Sequence, residues 1–415
     1  MQILSGDDPS VLGERRPAGP DPSAVRDIVR DVRERGDEAL LEYEKRFSGH
    51  AGPLRVSPGE IRRAYREVQP EVLDAIRDMA SLLRDAEQSL LDSLNGAPAP
   101  PGISRAFRPI PSVGCYVPGG RARYPSSAVM SVVPASVAGV GRIVVVTPPP
   151  DSGFDAATVV AADHCGAHEI YWTGGAQAVA ALAYGTATIP GVDKIVGPGG
   201  AVVTAAKGMV SADVPVDMEA GPTELGIVAD GAADPDMVAL DLISQAEHSP
   251  DTICFMLTDS EALARRVADA VESRLDTIGR SDIVRESLYK NGFLAVFGDV
   301  RSAVSAAERL APEHLEVLTG DPERDAAPLN SPGLILLGSE TPSAASDYML
   351  GSNHILPTGR QGRLRGPLSV LDYTKMRVTA RADHSRMADI LDRVGAVTRV
   401  EGLHNHYEAV RGRVP

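Results

Sequence analysis

Two polar side chains stand at the end of an otherwise apolar segment, ISQAEHSP, in which Gln245 and His248 lie three residues apart. On a helix this spacing puts both side chains on one face, where their polar tips can meet. Histidine is the commonest metal ligand near neutral pH. The pair is therefore a candidate for part of a metal site, although a solvated or capping helix end is the commoner meaning of such a pattern.

A second polar pair, Glu313 and His314, occurs in the segment APEHLEV. A histidine is suited to act as a base, and a neighbouring carboxyl group is suited to activate water. Adjacent glutamate and histidine are also frequent on protein surfaces, so this segment alone favours an exposed pair.

Two later segments contain more groups of the same chemical types. SDYMLGSNHILPT carries Asp347 and His354 around a glycine turn, and loops of this kind often carry function. EGLHNHYEAV offers Glu401 and His406, for which a polar helix with exposed histidines is the ordinary explanation. Carboxylates and imidazoles together suit zinc, so these segments strengthen the hypothesis that ISQAEHSP raises.

The elements that must position these groups follow an α/β rhythm. Asp234 and Pro235 predict the start of the helix that carries Gln245, and Pro250 predicts its end. Short β-branched strands such as RIVVVTPP, HEIYWTGG and DTICFMLT alternate with helices, which predicts parallel βαβ units. The turns TGGAQ and VGPGGA are suited to placing a helix N-terminus beside a phosphate, but neither is a GxGxxG fingerprint.

The predicted fold class is α/β, with two incomplete Rossmann-like domains, parallel sheets, N-terminal helices and a small helical C-terminal extension. A length of 415 residues favours more than one hydrophobic core. The predicted divisions are an N-terminal tail (1–20), a first α/β domain with the N-terminal helices (21–110 and 225–355), a second α/β domain (111–224) and a C-terminal extension (356–415).

The composition disfavours several classes of partner and location. The formal net charge of -15 disfavours nucleic acid and anionic membranes, because both attract basic surfaces. No secretory signal pattern occurs at the start, and Pro134 interrupts the apolar run 126–146. Three scattered cysteines form neither a disulfide framework nor a metal knuckle. We therefore expect a cytoplasmic protein that binds neither nucleic acid nor a membrane.

Eight segments together resemble the histidinol dehydrogenase family in order and spacing, over nearly the whole chain. They are GCYVPGG, GGAQAVAALAYG, VDKIVGPG, DMEAGPTE, SQAEH, APEHLE, SDYMLGSNHILPT and EGLHNH. The resemblance implies a zinc-containing homodimer that oxidises L-histidinol to L-histidine through L-histidinal, in the last steps of histidine biosynthesis, and reduces two NAD. It also implies that the C-terminal extension reaches the partner subunit, so that two subunits share each active site.

The matching motifs imply roles for individual residues. Glu313 and His314 match the catalytic acid–base pair. The implied zinc ligands, which also meet the substrate, are Gln245, His248, Asp347 and His406. The implied substrate-binding positions besides these ligands and His314 are Thr223, His354 and Glu401. The implied NAD-contacting positions are Tyr116, Gln177 and Gly200.

The chemistry of the residue types agrees with these roles. A primary alcohol releases hydride only as its hydroxyl proton leaves, and His314 is suited to take that proton. The second oxidation needs a hydrated aldehyde, for which Glu313 is suited to activate the water. Zinc would act mainly as a template for the substrate's amino and imidazole nitrogens. Ionised Glu401 is an acceptor suited to the substrate ammonium group.

Two features depart from the family pattern. Gly200 stands where the family usually has an asparagine that contacts the cofactor, which predicts weaker or rearranged NAD binding rather than loss of activity. The basic loop 358–369 replaces a segment of small residues, and its sequence suggests no role.

Three other functions fit parts of the sequence. A paralogous dehydrogenase would oxidise another small alcohol, such as a sulfonated diol, but His354 and Glu401 favour histidinol. A zinc hydrolase would use Glu313 to activate a metal-bound water, but the βαβ modules favour a dinucleotide. A non-catalytic binding protein is disfavoured, because it would not need both an acid–base pair and a set of metal ligands.

Overall fold

The computed structural model describes residues 1–13, 21–119, 123–218 and 221–414. Residues 14–20 of the predicted N-terminal tail lie outside this range, whereas residues 2–5 of that tail form a strand that pairs with 293–296 and belongs to the larger sheet. The strands in the described part are β1 (Gln2–Ser5), β2 (Ile103–Pro109), β3 (Ser112–Tyr116), β4 (Arg142–Thr147), β5 (Glu169–Trp172), β6 (Ile195–Val196), β7 (Glu224–Ala229), β8 (Ile253–Thr258), β9 (Phe293–Val296), β10 (His314–Leu318), β11 (Leu334–Leu337) and β12 (Thr374–Ala380). The helices there are α1 (Pro22–Arg35), α2 (Asp37–Phe47), α3 (Pro58–Glu67), α4 (Pro70–Gly96), α5 (Pro125–Ala138), α6 (Ala156–Cys165), α7 (Gly175–Tyr184), α8 (Ala201–Val210), α9 (Pro235–Ala246), α10 (Glu261–Arg274), α11 (Ser281–Lys290), α12 (Val300–Leu310), α13 (Pro322–Ala326), α14 (Ser343–Ser346), α15 (His384–Glu401) and α16 (His404–Arg411).

Two separate parallel sheets carry the fold and confirm the predicted α/β class. The larger sheet has the strand order β1-β9-β8-β7-β10-β11 and the smaller one β5-β4-β3-β6. Helices cover both faces of such sheets, so central strands such as β3 and β8 consist entirely of buried residues. None of the described helices combines the length and the apolar content that a bilayer crossing requires.

The N-terminal helices cover the smaller sheet rather than the larger one. α1 and α2 pack on α7, and their buried Val25, Val29 and Leu40 share one core with it. α3 packs on α6, and α4 packs on α5. The observed packing differs from the expected grouping of 21–110 with 225–355, because an amphipathic pattern shows that a face is buried but not against what. The exact domain limits stay a prediction.

A two-stranded ribbon joins the proline-rich connector to the C-terminal extension. β2 pairs antiparallel with β12, from Pro109 opposite Thr374 to Ile103 opposite Ala380. The sequence predicted a proline-rich connector (95–111) where β2 lies and a helical extension where β12 lies. Beyond the ribbon, α15 packs mainly against α16, and Val400 on α15 is 89% exposed. The extension therefore has apolar surface that its own subunit leaves open.

The basic loop 358–369 is fixed by hydrogen bonds to the segments around it. The Gly359 N–H donates to Oε1 of Glu224 (3.0 Å). The Arg365 guanidinium donates to the backbone carbonyl of Asp217 and to Oδ2 of Asp372 (2.8 Å). The loop therefore has a structural role that its sequence did not suggest, since it holds the residue that begins β7.

A buried carboxyl group makes the stability of this fold depend on pH. Glu87 on α4 is 6% exposed, and its Oε2 accepts a hydrogen bond from the Val370 N–H (2.6 Å). Burial raises the pKa of Glu87 from 4.5 to about 7; the Val370 N–H opposes this rise and the Asp372 carboxylate adds to it. The folded chain therefore keeps this proton to a higher pH than the unfolded chain does.

Raising the pH from about 5 to about 8 should lower the free energy of unfolding, by roughly 3 kcal/mol from this one group. Glu87→Gln carries a neutral side chain at every pH, so its free energy of unfolding should fall less between the two pH values than that of wild type. Glu71→Gln, at an exposed position of the same helix, should show the same fall as wild type. Urea unfolding of the three proteins at both pH values measures the difference, and equal declines for wild type and Glu87→Gln would contradict the assignment.

Candidate active site

The predicted catalytic residues meet at the amino edge of the larger sheet. Thr223 immediately precedes β7 and His314 begins β10, and these two strands are neighbours in parallel register. α9 runs from the carboxyl end of β7 back towards the amino end of β8, so Gln245 in its last turn reaches the same edge. The N-cap at Asp234, whose side chain accepts the Asp236 N–H, confirms the predicted start of α9. The helix ends at Ala246 rather than just before Pro250, so His248 lies in the turn beyond it and not on the helical face of Gln245. Chain topology thus gathers residues that are far apart in sequence.

A buried hydrogen-bond chain surrounds Glu313, which is 7% exposed. Its Oε2 accepts hydrogen bonds from the Thr223 hydroxyl and from the Glu224 N–H (2.9 Å). Nε2 of Gln245 donates in turn to the Thr223 hydroxyl (2.7 Å). Burial raises the pKa of Glu313, against the lowering effects of His314 and of these two donors. The exposed pair that the segment APEHLEV alone favoured is not formed.

His314 lies between two carboxyl groups and is itself 2% exposed. Its Nδ1 is 3.8 Å from Oε2 of Glu313, and its Nε2 is 3.5 Å from Oδ1 of Asp347. Burial lowers the pKa of His314, but Asp347 and Glu313 outweigh this effect, so the pKa is raised. Neither ring nitrogen has a hydrogen-bond partner within the described residues. The imidazole is therefore held in place but remains available to a reacting hydroxyl group.

The predicted zinc ligands of this chain form an incomplete set. His248 contributes to the lowered pKa of Asp347, although burial of that carboxyl group acts in the opposite direction and His314 has the larger lowering effect. In the described part of the chain, no three His, Cys, Asp or Glu side chains converge closely enough to hold a metal ion. Gln245, His248 and Asp347 therefore stay predicted ligands, and a zinc site with four protein ligands would need a further one.

The structure does not bring Glu401 and His406 to this site. Glu401 ends α15, His406 lies in α16, and both side chains are exposed. Their predicted roles stay predictions, as does the second subunit that would supply these residues to a shared site.

His354 connects the catalytic edge to the helices of the smaller sheet. Its Nδ1 lies 2.8 Å from the carbonyl oxygen of Asp347, and its Nε2 lies 3.4 Å from the Ser127 hydroxyl on α5. Burial lowers the pKa of His354, although Asp347 opposes this effect. A neutral ring has one donor and one acceptor nitrogen, so its two contacts fix which tautomer is present.

The predicted cofactor residues Tyr116 and Gln177 meet at the glycine turn between β5 and α7. The Tyr116 hydroxyl accepts the Gly175 N–H (3.0 Å), and Nε2 of Gln177 donates to Oε1 of Glu44 (2.8 Å). The turn requires its glycines, because Gly175 has a φ of 63° and a Cβ at Gly174 would lie 2.4 Å from a proline side chain. Tyr116 is 4% exposed, so its ring supports the turn from beneath.

A cleft of about 1380 Å³ connects this turn with His248, one of the predicted zinc ligands. Its described walls include 174–177 on one side and His248 and Pro250 on the other. Arg280, with a left-handed backbone at φ 53°, is the only Lys or Arg among the described lining residues. Such backbone strain is common at functional sites. The cleft exceeds an ordinary small-molecule pocket in size and lies beside the catalytic edge.

Gly200 is the N-cap of α8 and provides no side-chain hydrogen bond there. A Cβ at this position would meet no atom within 4 Å, so an asparagine fits without strain. Gly200→Asn should bind NAD about fivefold more tightly, because one net hydrogen bond contributes about 1 kcal/mol. Titration of NAD measures the change, with Gly200→Ala as the control that adds a Cβ but no amide. Indistinguishable affinities of Gly200→Asn and wild type would defeat the prediction.

Two residues that the sequence did not single out help to build the site. Oε1 of Glu224 accepts the Gly359 N–H, and its Oε2 accepts the Glu313 N–H (3.3 Å). Glu224 is the last residue of DMEAGPTE, one of the segments that resemble the family, so the sequence did point to its position. Glu44 lies on the amphipathic helix α2, where a glutamate ordinarily faces solvent, and the sequence carried no signal for it.

Known proteins resemble this chain along almost all of its length. The family profile described as histidinol dehydrogenase matches residues 20–414. The histidinol dehydrogenase of Methanothermobacter thermautotrophicus is 43% identical, over 94% of this chain and 92% of that protein. The one from Rhodospirillum rubrum is 41% identical, over 97% and 94%. The crystal structure of histidinol dehydrogenase from Elizabethkingia anophelis matches with a TM-score of 0.94 and 32% identity, covering 100% of this chain and 98% of that one. The chain therefore belongs to the histidinol dehydrogenase family.

Proposed function

We propose that this protein is a zinc- and NAD-dependent histidinol dehydrogenase that oxidises L-histidinol to L-histidine through L-histidinal and reduces two NAD. The observation that carries the proposal is the cleft whose walls hold Gln177 and His248, beside the buried pair Glu313 and His314. The relatives named as histidinol dehydrogenases support the same substrate.

The two oxidations use the buried pair in turn. In the first, His314 takes the hydroxyl proton while hydride moves from the carbinol carbon to NAD. The carboxylates of Glu313 and Asp347 stabilise the imidazolium that results. In the second, Glu313 takes a proton from the water that adds to the aldehyde, and the hydrated aldehyde then gives hydride to a second NAD. The raised pKa of Glu313 makes its carboxylate a stronger base than an exposed glutamate.

Substrate binding involves the metal and the residues around it. Zinc held by Gln245, His248, Asp347 and His406 of the partner subunit would bind the substrate's amino and imidazole nitrogens and orient its carbinol carbon. Thr223, His354 and Glu401 are the further substrate contacts.

A homodimer with shared active sites is part of the same proposal. The incomplete ligand set, the exposure of Glu401 and His406, and the apolar surface around Val400 support it. Each C-terminal extension would complete the site of the partner subunit. A biosynthetic reaction that consumes NAD favours the cytoplasm as its location.

The amount of NADH formed from L-histidinol in the presence of zinc tests the proposal. Two NADH per substrate are expected, and a metal chelator should abolish turnover until zinc is restored. NADH formed from another small alcohol but not from histidinol would select a paralogous dehydrogenase. No NADH with any alcohol would overturn the proposal and leave a zinc hydrolase or a binding protein.

A further inference from the structure

An internal carboxylate occupies the amino end of α7. Oε1 of Glu44 accepts hydrogen bonds from the Thr173 hydroxyl (2.6 Å), the Gly174 N–H (3.0 Å) and Nε2 of Gln177 (2.8 Å). The Ser48 hydroxyl lies 3.1 Å from Oε2, but its single proton is closer to the backbone carbonyl oxygen of Glu44 (2.7 Å). Glu44 is 1% exposed, and the three donors to Oε1 are neutral. The carboxyl group therefore provides one common acceptor for three buried donors at the amino end of α7.

This carboxylate takes the position that a phosphate would take at a free helix end. The N–H groups of Gly174 and Gly175 already donate to Glu44 and Tyr116. A second anion beside Glu44 would meet a like charge in a site largely removed from water. The helix end that the segment TGGAQ is suited to offer a phosphate is thus occupied by Glu44, which disfavours binding of a dinucleotide diphosphate there.

Glu44 also decides which end of the Gln177 amide faces a ligand. An ionised carboxylate only accepts hydrogen bonds, so Gln177 directs its NH₂ group to Glu44 and turns its Oε1 away. That oxygen lies against the turn, since a Cβ at Gly175 would be 2.8 Å from it. Gly175 and Gln177 both line the cleft, so this oxygen is the amide atom that lies beside the cleft-lining glycine. An acceptor suits the ribose hydroxyl or carboxamide N–H groups of a dinucleotide and not its phosphates.

We propose that Glu44 is a positioning residue for the dinucleotide, which holds the turn 173–177 in shape and fixes Gln177 as a hydrogen-bond acceptor. The inference rests on the proposed use of NAD. Without Glu44, the buried donors of Thr173, Gly174 and Gln177 lose their common acceptor, and the Gln177 amide is free to rotate.

Fluorescence of Trp172 reports on this turn directly, because Trp172 precedes it and is the only tryptophan of the chain. Glu44→Met keeps the side-chain length but has no acceptor, and it should weaken NAD binding about tenfold, as expected for losing hydrogen bonds to a charged group. Glu44→Gln retains an oxygen acceptor and should recover most of the affinity. The matched control Glu42→Met, at an exposed position of the same helix, should bind NAD like wild type.

Kinetics and chemical rescue separate positioning from a merely structural role. The KM for NAD should rise in Glu44→Met, while kcat at saturating NAD and the KM for histidinol stay nearly unchanged. In Glu44→Ala, added acetate should enter through the cleft, take the vacated carboxylate position and restore NAD affinity. Wild-type NAD affinity in Glu44→Met would overturn the proposal, and so would losses that affect both substrates equally and that acetate does not reverse. If wild type binds NAD without oxidising histidinol, the proposed substrate fails and this inference stands.

Discussion

Replacing His314 by glutamine should lower kcat for histidinol oxidation by about a hundredfold to ten-thousandfold, the range that a general base contributes. Glutamine is similar in size but has no basic nitrogen. The ring it replaces is buried between Glu313 and Asp347, and its two nitrogens have no hydrogen-bond partner among the described residues. A buried imidazole whose nitrogens have no hydrogen-bond partner in the described chain is expected to form a hydrogen bond with the substrate.

NADH absorbance measures kcat, and Trp172 fluorescence shows whether NAD still binds. NAD affinity should stay unchanged in His314→Gln, since His314 lies on the catalytic edge and not at the turn that holds Gln177. His384→Gln, at an exposed histidine, should leave kcat unaffected. A kcat for His314→Gln within about tenfold of wild type would mean that another group takes the proton.

Two inactive variants should restore each other's activity when they are expressed together. His406→Ala removes the proposed ligand on the extension, and His314→Gln removes the base at the sheet edge. If each site uses His314 of one subunit and His406 of the other, a mixed dimer has one intact site. Random pairing in a symmetric dimer then gives about a quarter of the wild-type activity.

The controls for this experiment lie on the same helix. His404→Ala should remain active by itself, because His404 faces Glu408 at 3.5 Å and matches no ligand position. Each inactive variant alone should stay inactive at every protein concentration. Full activity of His406→Ala alone would show that the reaction does not need His406. No recovery in the mixture of two inactive variants would contradict a site shared between His314 of one subunit and His406 of the other.

The sequence predicted elements better than it predicted their partners. Strand and helix alternation predicted two parallel-sheet modules, because strands such as β4, β5 and β8 are apolar runs next to turn signals. The N-terminal helices were assigned to the larger sheet, since their apolar faces do not specify which sheet they cover. β2 and β12 were missed altogether, because each has its pairing partner hundreds of residues away and β2 lies in a proline-rich segment.

For the site as well, the sequence identified individual residues but not their surroundings in the fold. Gln245, Glu313 and His314 could be named from their motifs, yet the motifs favoured exposed surfaces, because burial depends on where strands begin. His314 is buried because it starts β10 inside a six-stranded sheet. Glu44 could not be found in the sequence, since its donors come from a turn that is far away along the chain.

The pairing of β2 with β12 also determines when this part of the chain can fold during synthesis. Pro109 lies opposite Thr374 and Ile103 opposite Ala380, so pairing of β2 can start only when synthesis reaches Thr374 and is complete only at Ala380. Closing so long a loop costs conformational entropy before the new contacts offset it. An unpaired edge strand meanwhile offers its backbone groups to other chains. In the nascent chain, β2 therefore stays unpaired for most of the synthesis. The C-terminal extension covers its backbone groups when β12 has been made.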